Sequence, residues 1–186
     1  MRTRLPKFPV PFTVGNDICH IPRILKILRG ERTGPRFVKR ILAPEEMEQP
    51  WTKPLISIIL SPASGDAEPA ALRESEMWRA ARFMAGRFAV KEAVFKAHPH
   101  RKLTWHRIVI DRLPLATTKK DEKMEKEKEK DSDSGPPLAR IRGDGRYEDT
   151  RASVSISHDG EYAVAVCVGC YEEPVEEEDG GEGEGS

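Results

Sequence analysis

Residues 152–168, ASVSISHDGEYAVAVCV, decide the fold class. Ala152, Val154, Ile156 and His158 alternate with Ser153, Ser155 and Ser157, the period of a strand with one apolar and one polar face. Asp159–Gly160 is a hairpin turn signal. Tyr162–Val168 is then almost continuously apolar, which predicts a central strand buried on both faces. Strands joined by so short a turn must be antiparallel.

Working upstream, residues 76–97 read EMWRAARFMAGRFAVKEAVFKA and predict the longest helix, capped by Ser75 and closed before Pro99. Ala81, Met84, Phe88 and Phe95 make one apolar face. Ala85, Ala89, Glu92 and Lys96 make a second stripe, where the two alanines allow another backbone to come close. A carboxylate and an ammonium therefore leave one contact face one turn apart. The class is α+β: an antiparallel sheet with a long helix packed on it.

The remaining elements are shorter. Phe12–Val14 predicts a strand ending at Gly15, and Ile21, Ile24, Leu25 and Leu28 predict a helix starting at His20 with Pro22 in its first turn. A further helix is expected to start at Ala43–Pro44, after Arg36–Leu42. The prolines of residues 50–74 predict a long loop around the apolar run Leu55–Leu60. Thr104–Leu113 and Ala139–Ile141 predict strands.

The chain has 186 residues, which suits one domain. Its formal net charge is zero, but that is an average of unlike parts. Residues 119–134 (KKDEKMEKEKEKDSDS) hold 6 basic and 7 acidic side chains, and residues 172–186 hold 8 acidic ones. Without those two segments the body has 25 Lys/Arg against 16 Asp/Glu, a charge of +9. A basic body suits an anionic partner. The expected organisation is a flexible basic leader (1–11), a domain over 12–171 with the 50–74 loop and a low-complexity insert at 116–137, and a disordered acidic tail (172–186). The Lys/Glu run reads as a solvated helix or a disordered insert.

No stretch approaches the roughly 18 apolar residues of a membrane span. Cys19, Cys167 and Cys170 are too few for a disulfide scaffold, so a soluble, intracellular protein is expected. With 6% aromatics and no helix-turn-helix or RNP-type motif, nucleic acid is not the expected partner. The leader holds Arg2, Arg4 and Lys7 and no acid, as import presequences do, but Pro6, Pro9 and Pro11 spoil an amphipathic helix. Mitochondrial or cytoplasmic residence follows, with the former slightly favoured.

Taken singly, Asp17 reads as a turn residue, Glu92 and Lys96 as a surface ion pair, and His158 as a structural histidine. Together they offer two carboxylates, a lysine and a histidine beside a strand end and a long helix. Two carboxylates suit Mg²⁺, which keeps several waters and shares phosphate oxygens. Such a set fits phosphoryl transfer.

Three motifs follow one another along the chain. Val14–Ile24 (VGNDICHIPRI) is similar to GxDIxxIxRI, Phe83–Ala97 (FMAGRFAVKEAVFKA) to FxxRFAxKEAxxKA, and Val154–Ala165 (VSISHDGEYAVA) to SxSHxxxYAxA. Arg36–Leu42 (RFVKRIL) is similar to RFxxRIL. In these patterns and their order the chain resembles the holo-acyl-carrier-protein synthase branch of the 4′-phosphopantetheinyl transferases, as a stand-alone fungal or other eukaryotic member.

The resemblance implies Mg²⁺-dependent transfer of phosphopantetheine from coenzyme A to a serine of an apo acyl carrier protein, with release of 3′,5′-ADP. Asp17 and Glu92 would hold Mg²⁺, and Glu92, or a water held by the metal, would help take the serine proton. Lys96 would offset phosphate charge. Arg87, Lys91, Ser157 and His158 would contact coenzyme A. Arg23, Arg36, Phe37 and Arg40 would meet the acidic helix of the carrier. Compact members form trimers with sites between subunits, so a homotrimer is one expectation. Three features depart from the family. Cys19 stands where larger transferases carry a third acid. His98–Lys102 replaces a Gly-rich turn, and Gly135–Pro136–Pro137 lacks the lysine of GKP. The alternative is an inactive carrier-binding scaffold, against which the retained Asp17, Glu92, Lys96 and His158 argue.

Overall fold

The computed structural model describes residues 11–60, 70–113, 135–172 and 174. The Lys/Glu run at 119–134 lies outside them, as do all of the leader but Pro11 and all of the tail but Glu172 and Pro174. In chain order the elements are β1 (Phe12–His20), α1 (Ile21–Leu28), α2 (Thr33–Ile41), α3 (Pro44–Glu48), α4 (Lys53–Leu60) and α5 (Ala70–Ala97). A 3₁₀ turn (Trp105–Arg107) then leads to β2 (Ile108–Arg112), β3 (Pro137–Ile141), β4 (Thr150–Asp159) and β5 (Tyr162–Cys170). The five strands form one antiparallel sheet in the order β1-β5-β4-β3-β2.

The expected hairpin is β4–β5, with its turn one position later than the sequence signal. Asp159 pairs with Tyr162, so the turn residues are Gly160 and Glu161. Gly160 takes φ +51°, a conformation that suits glycine. In β4, Ala152 is buried, Val154, Ile156 and His158 are half-buried, and all three serines face out.

β5 corrects an expectation. It is central in the sheet, but only one of its faces is covered. Ala163, Ala165 and Cys167 are buried, while Tyr162, Val164, Val166 and Val168 are exposed by 38–47%. β1 repeats the pattern, with Gly15 and Cys19 inside and Phe12, Val14 and Ile18 exposed by 55–67%. A single layer of helices covers one side of the sheet. The other side keeps a contiguous apolar surface.

The covered side is built from small residues. Ala85, Ala89, Ala93 and Ala97 of α5 are fully buried, and the strands beneath offer Gly15, Ala163 and Ala165. The closest approach is at Gly15. A Cβ there would overlap the Ala93 carbonyl and lie 2.6 Å from Ala97 N. The sequence reading placed the close approach at Ala85 and Ala89; the tightest contact falls two turns later. At the other end of the crossing, a Cβ on Gly86 would lie 3.1 Å from His158 Nε2.

Several boundaries also differ. β1 does not stop at Gly15 but runs to His20, so Asp17 is a strand residue and not a turn. Residues 53–60 are helical where a loop was expected, because Pro54 falls in the first turn, where proline is tolerated. α5 starts at Ala70, so Ser75 lies inside it. Trp105–Arg107 is a 3₁₀ turn, which shortens the predicted strand after it. Glu172, expected in the tail, is held by Arg101 at 2.8 Å. α1 matches its reading, with Ile21, Ile24, Leu25 and Leu28 all buried.

Gly15→Ala must push α5 off the sheet. We expect a loss of about 1–3 kcal/mol, which for a domain of this size lowers the midpoint of thermal unfolding by roughly 3–10 °C. An unchanged midpoint would show that α5 can shift freely on β1.

Candidate active site

The contact at Gly15 fixes what lies one step further along β1. Asp17 is on the same face, towards α5, and half-buried. Lys96 reaches down from α5 and donates to Asp17 Oδ1 at 2.8 Å and to the Asn16 carbonyl at 2.8 Å. Glu92 sits one turn before Lys96. Its carboxyl is pushed above the usual range by burial first and by the Asp17 charge second, with Lys96 opposing. The structure therefore brings Asp17, Glu92 and Lys96 into one electrostatic group.

Two carboxylates side by side, with one lysine between strand and helix, fit a divalent cation bound through oxygen. Among the described residues no group of three or more His, Cys, Asp or Glu could hold a metal. A cation here would take two ligands from the chain and complete its shell from water or phosphate.

A second polar place lies at the other end of the crossing. Phe83, Gly86 and Arg87 of α5, Ile156 and His158 of β4, and Arg112, Gly135 and Pro137 line a cavity of about 420 Å³. His158 Nε2–H donates to the Arg82 carbonyl at 3.0 Å. Arg87 is 6% exposed, its Cζ is 4.9 Å from the Phe83 ring centre, and its Nε has no hydrogen-bond partner among the described residues. Glu46 is 3.9 Å from that Nε. Arg112, stacked on Trp51, adds a second guanidinium. A half-apolar cavity with two cations suits an anion on a flat ring system. Along α5 the six residues from Gly86 to Glu92 separate the two places by about 9 Å.

Two expected site residues do not join either place. Lys91 is fully buried, and its ammonium is taken by Glu46, by the Ile41 carbonyl at 2.7 Å and by the Trp105 carbonyl at 3.0 Å. It lies too deep to meet coenzyme A. Ser157 is exposed on the open face of the sheet, opposite to the side His158 takes. Arg112 and Glu46 were missed. A strand-end arginine carries no signal of its own. Glu46 was legible only as the third residue of a helix start, where its Oε2 accepts from Ala43 N–H at 2.8 Å.

The basic residues singled out beside α2 share one surface. Arg36 and Arg40 are exposed one turn apart, and Arg23 is exposed on α1 with its Cζ 5.5 Å from the Phe88 ring centre. Half-buried Phe37 stacks on Phe88 at 6.2 Å, Phe88 lies 5.3 Å from Trp105, and Phe95 meets Trp105 edge-on at 5.0 Å. Among the described residues Arg36 and Arg40 have no ion-pair partner.

The chain is similar to known proteins. A family model described as the 4′-phosphopantetheinyl transferase superfamily matches residues 13–167. A protein named "4′-phosphopantetheinyl transferase B, mitochondrial" from Aspergillus fumigatus is 34% identical over 166 residues, covering 87% of this chain and 95% of its own. A holo-[acyl-carrier-protein] synthase of Chlorobaculum parvum is 28% identical, covering 83% of this chain and 95% of its own. The crystal structure of a holo-ACP-synthase from Plasmodium yoelii overlays with a TM-score of 0.50 at 21% identity, over 84% of this chain and 91% of that one. It is a likeness of fold. With its motifs in place on helix, strand and hairpin, the chain belongs to the 4′-phosphopantetheinyl transferase superfamily.

Proposed function

We propose that this transferase is a holo-acyl-carrier-protein synthase. It moves 4′-phosphopantetheine from coenzyme A to a carrier-protein serine, with Mg²⁺ at Asp17 and Glu92. The observation that carries this reading is the meeting of Asp17, Glu92 and Lys96 where α5 touches β1.

The serine oxygen attacks the β-phosphorus of the pyrophosphate. The P–O bond to the bridging oxygen breaks, and that oxygen leaves on 3′,5′-ADP. Glu92 would help take the serine proton. Lys96 is oriented by Asn16 and Asp17, and keeps a third N–H for a phosphate oxygen. Mg²⁺ bound at the two carboxylates supplies charge that offsets the charge building on the pyrophosphate. The nucleotide end suits the cavity of Arg87, Arg112 and His158, where Phe83 and Ile156 cover its ring. Arg23, Arg36 and Arg40 with Phe37 suit an acidic helix carrying the acceptor serine. The basic, acid-free leader and the mitochondrial relative favour mitochondria. The open apolar face of β1 and β5 is read as the place where copies of the chain meet, in a homotrimer.

Intact-protein mass spectrometry of an apo acyl carrier protein with coenzyme A and Mg²⁺ should show one phosphopantetheine added. Asp17→Asn and Glu92→Gln should each slow this by about a hundredfold or more, and EDTA should stop it reversibly. Near-normal rates in either variant would overturn the site, and no addition by folded wild type would favour the scaffold reading. Arg36→Glu with Arg40→Glu should raise KM for the carrier about tenfold and leave KM for coenzyme A unchanged. Equal damage to both would make these arginines structural. Light scattering should find an oligomer for the wild type and a folded monomer for Ile18→Glu with Val166→Glu; a wild-type monomer would refute the trimer.

A further inference from the structure

Glu46 is fully buried and serves two cations. Its Oε2 takes the Lys91 ammonium, and its Oε1 accepts from Ile110 N–H at 3.2 Å and stays 3.9 Å from Arg87 Nε. Arg87 and Lys91 are one turn apart on α5 and flank this one carboxylate. The three buried charges sum to one positive charge. Lys91 has a full set of partners, so the surplus sits on Arg87, which lines the cavity and whose Nε, held only by the long contact to Glu46, has no hydrogen-bond partner among the described residues. Buried cations without a matching anion are costly. Among the described residues no carboxylate lines the cavity wall to match this one.

We propose that Lys91 is a positioning residue: by holding Glu46, it keeps that carboxylate from closing on Arg87 and leaves Arg87 charged and available to an anion in the cavity. The inference rests on the reading that the cavity takes the nucleotide end of coenzyme A. It adds that the selectivity of the cavity for anions is set by a residue that never touches the ligand. Without Lys91, Glu46 becomes the counterion of Arg87, the cluster becomes neutral, and the cavity loses its attraction.

Calorimetric titration of the full chain with 3′,5′-ADP tests this without turnover. Arg87→Gln should weaken binding about ten- to a hundredfold, as expected for loss of a charged hydrogen bond. If it does not, the cavity reading fails, and this inference with it. Lys91→Met should weaken binding to a similar degree, and Lys91→Met with Arg87→Gln should weaken it no further. Glu46→Gln with Lys91→Met removes both charges of the pair, frees Arg87 again, and should return affinity to within about threefold of wild type. A merely structural Lys91 gives the opposite: losses that add with Arg87→Gln, and a Glu46→Gln, Lys91→Met variant that binds as poorly as Lys91→Met alone. Should Lys91→Met not fold, the variant lacking both charges decides alone: wild-type affinity upholds the proposal, and weak binding or failure to fold overturns it.

Discussion

α5 can stand over Asp17 only because β1 presents bare backbone at Gly15. The helix backbone at Ala93 and Ala97 occupies the space a side chain would need. Everything on the last turns of α5 inherits its height above the sheet from that contact. Lys96 spans to Asp17 and Asn16 because it starts close, and Glu92 is partly desolvated because the strand lies beneath it. Alanines and glycines on both surfaces keep the layer thin along the whole crossing, down to Gly86 against His158. Small side chains give little hydrophobic stabilisation each, but they let main-chain atoms pack at the density of a protein interior.

Several acids of the body tie one element to another. Glu46 joins α3 to α5 and β2, Glu45 reaches Arg140 and Arg142, and Asp111 holds Arg140 at 3.1 Å. The basic residues of α1 and α2 have few such partners, and Arg29 with Glu74 is an exception. Part of the surplus is therefore carried by exposed Arg23, Arg36 and Arg40. A zero net charge for the whole chain conceals this, because the balancing acids lie largely in the tail and the Lys/Glu run.

The sequence was legible where local rules act. Alternation in β4, the hairpin, and the four buried positions of α1 follow from periodicity. Asp17, Glu92 and Lys96 were legible as a set through motif spacing and the alanine stripe. Lys91 was misread because its partner Glu46 lies 45 residues away, and no local pattern distinguishes a buried lysine from an exposed one inside a helix. β5 was misread because an unbroken apolar run hides a second alternation, small against large. Ala163, Ala165 and Cys167 face the helix, and Val164, Val166 and Val168 face away. Side-chain volume, not hydropathy, carried the orientation. α4 was missed because prolines read as breaks unless the first turn of a helix is recognised.

Placing Glu92, Lys96, Arg87 and Lys91 on one helix of 28 residues has a further consequence. These groups span under three turns of an element whose inner face is wholly buried, and Asp17 belongs to the sheet below. Catalytic groups carried on mobile loops can open while the rest of a molecule stays folded. Here the groups keep their mutual geometry while the helix lies on the sheet and disperse when it leaves, so the arrangement of these side chains depends on the packing of α5.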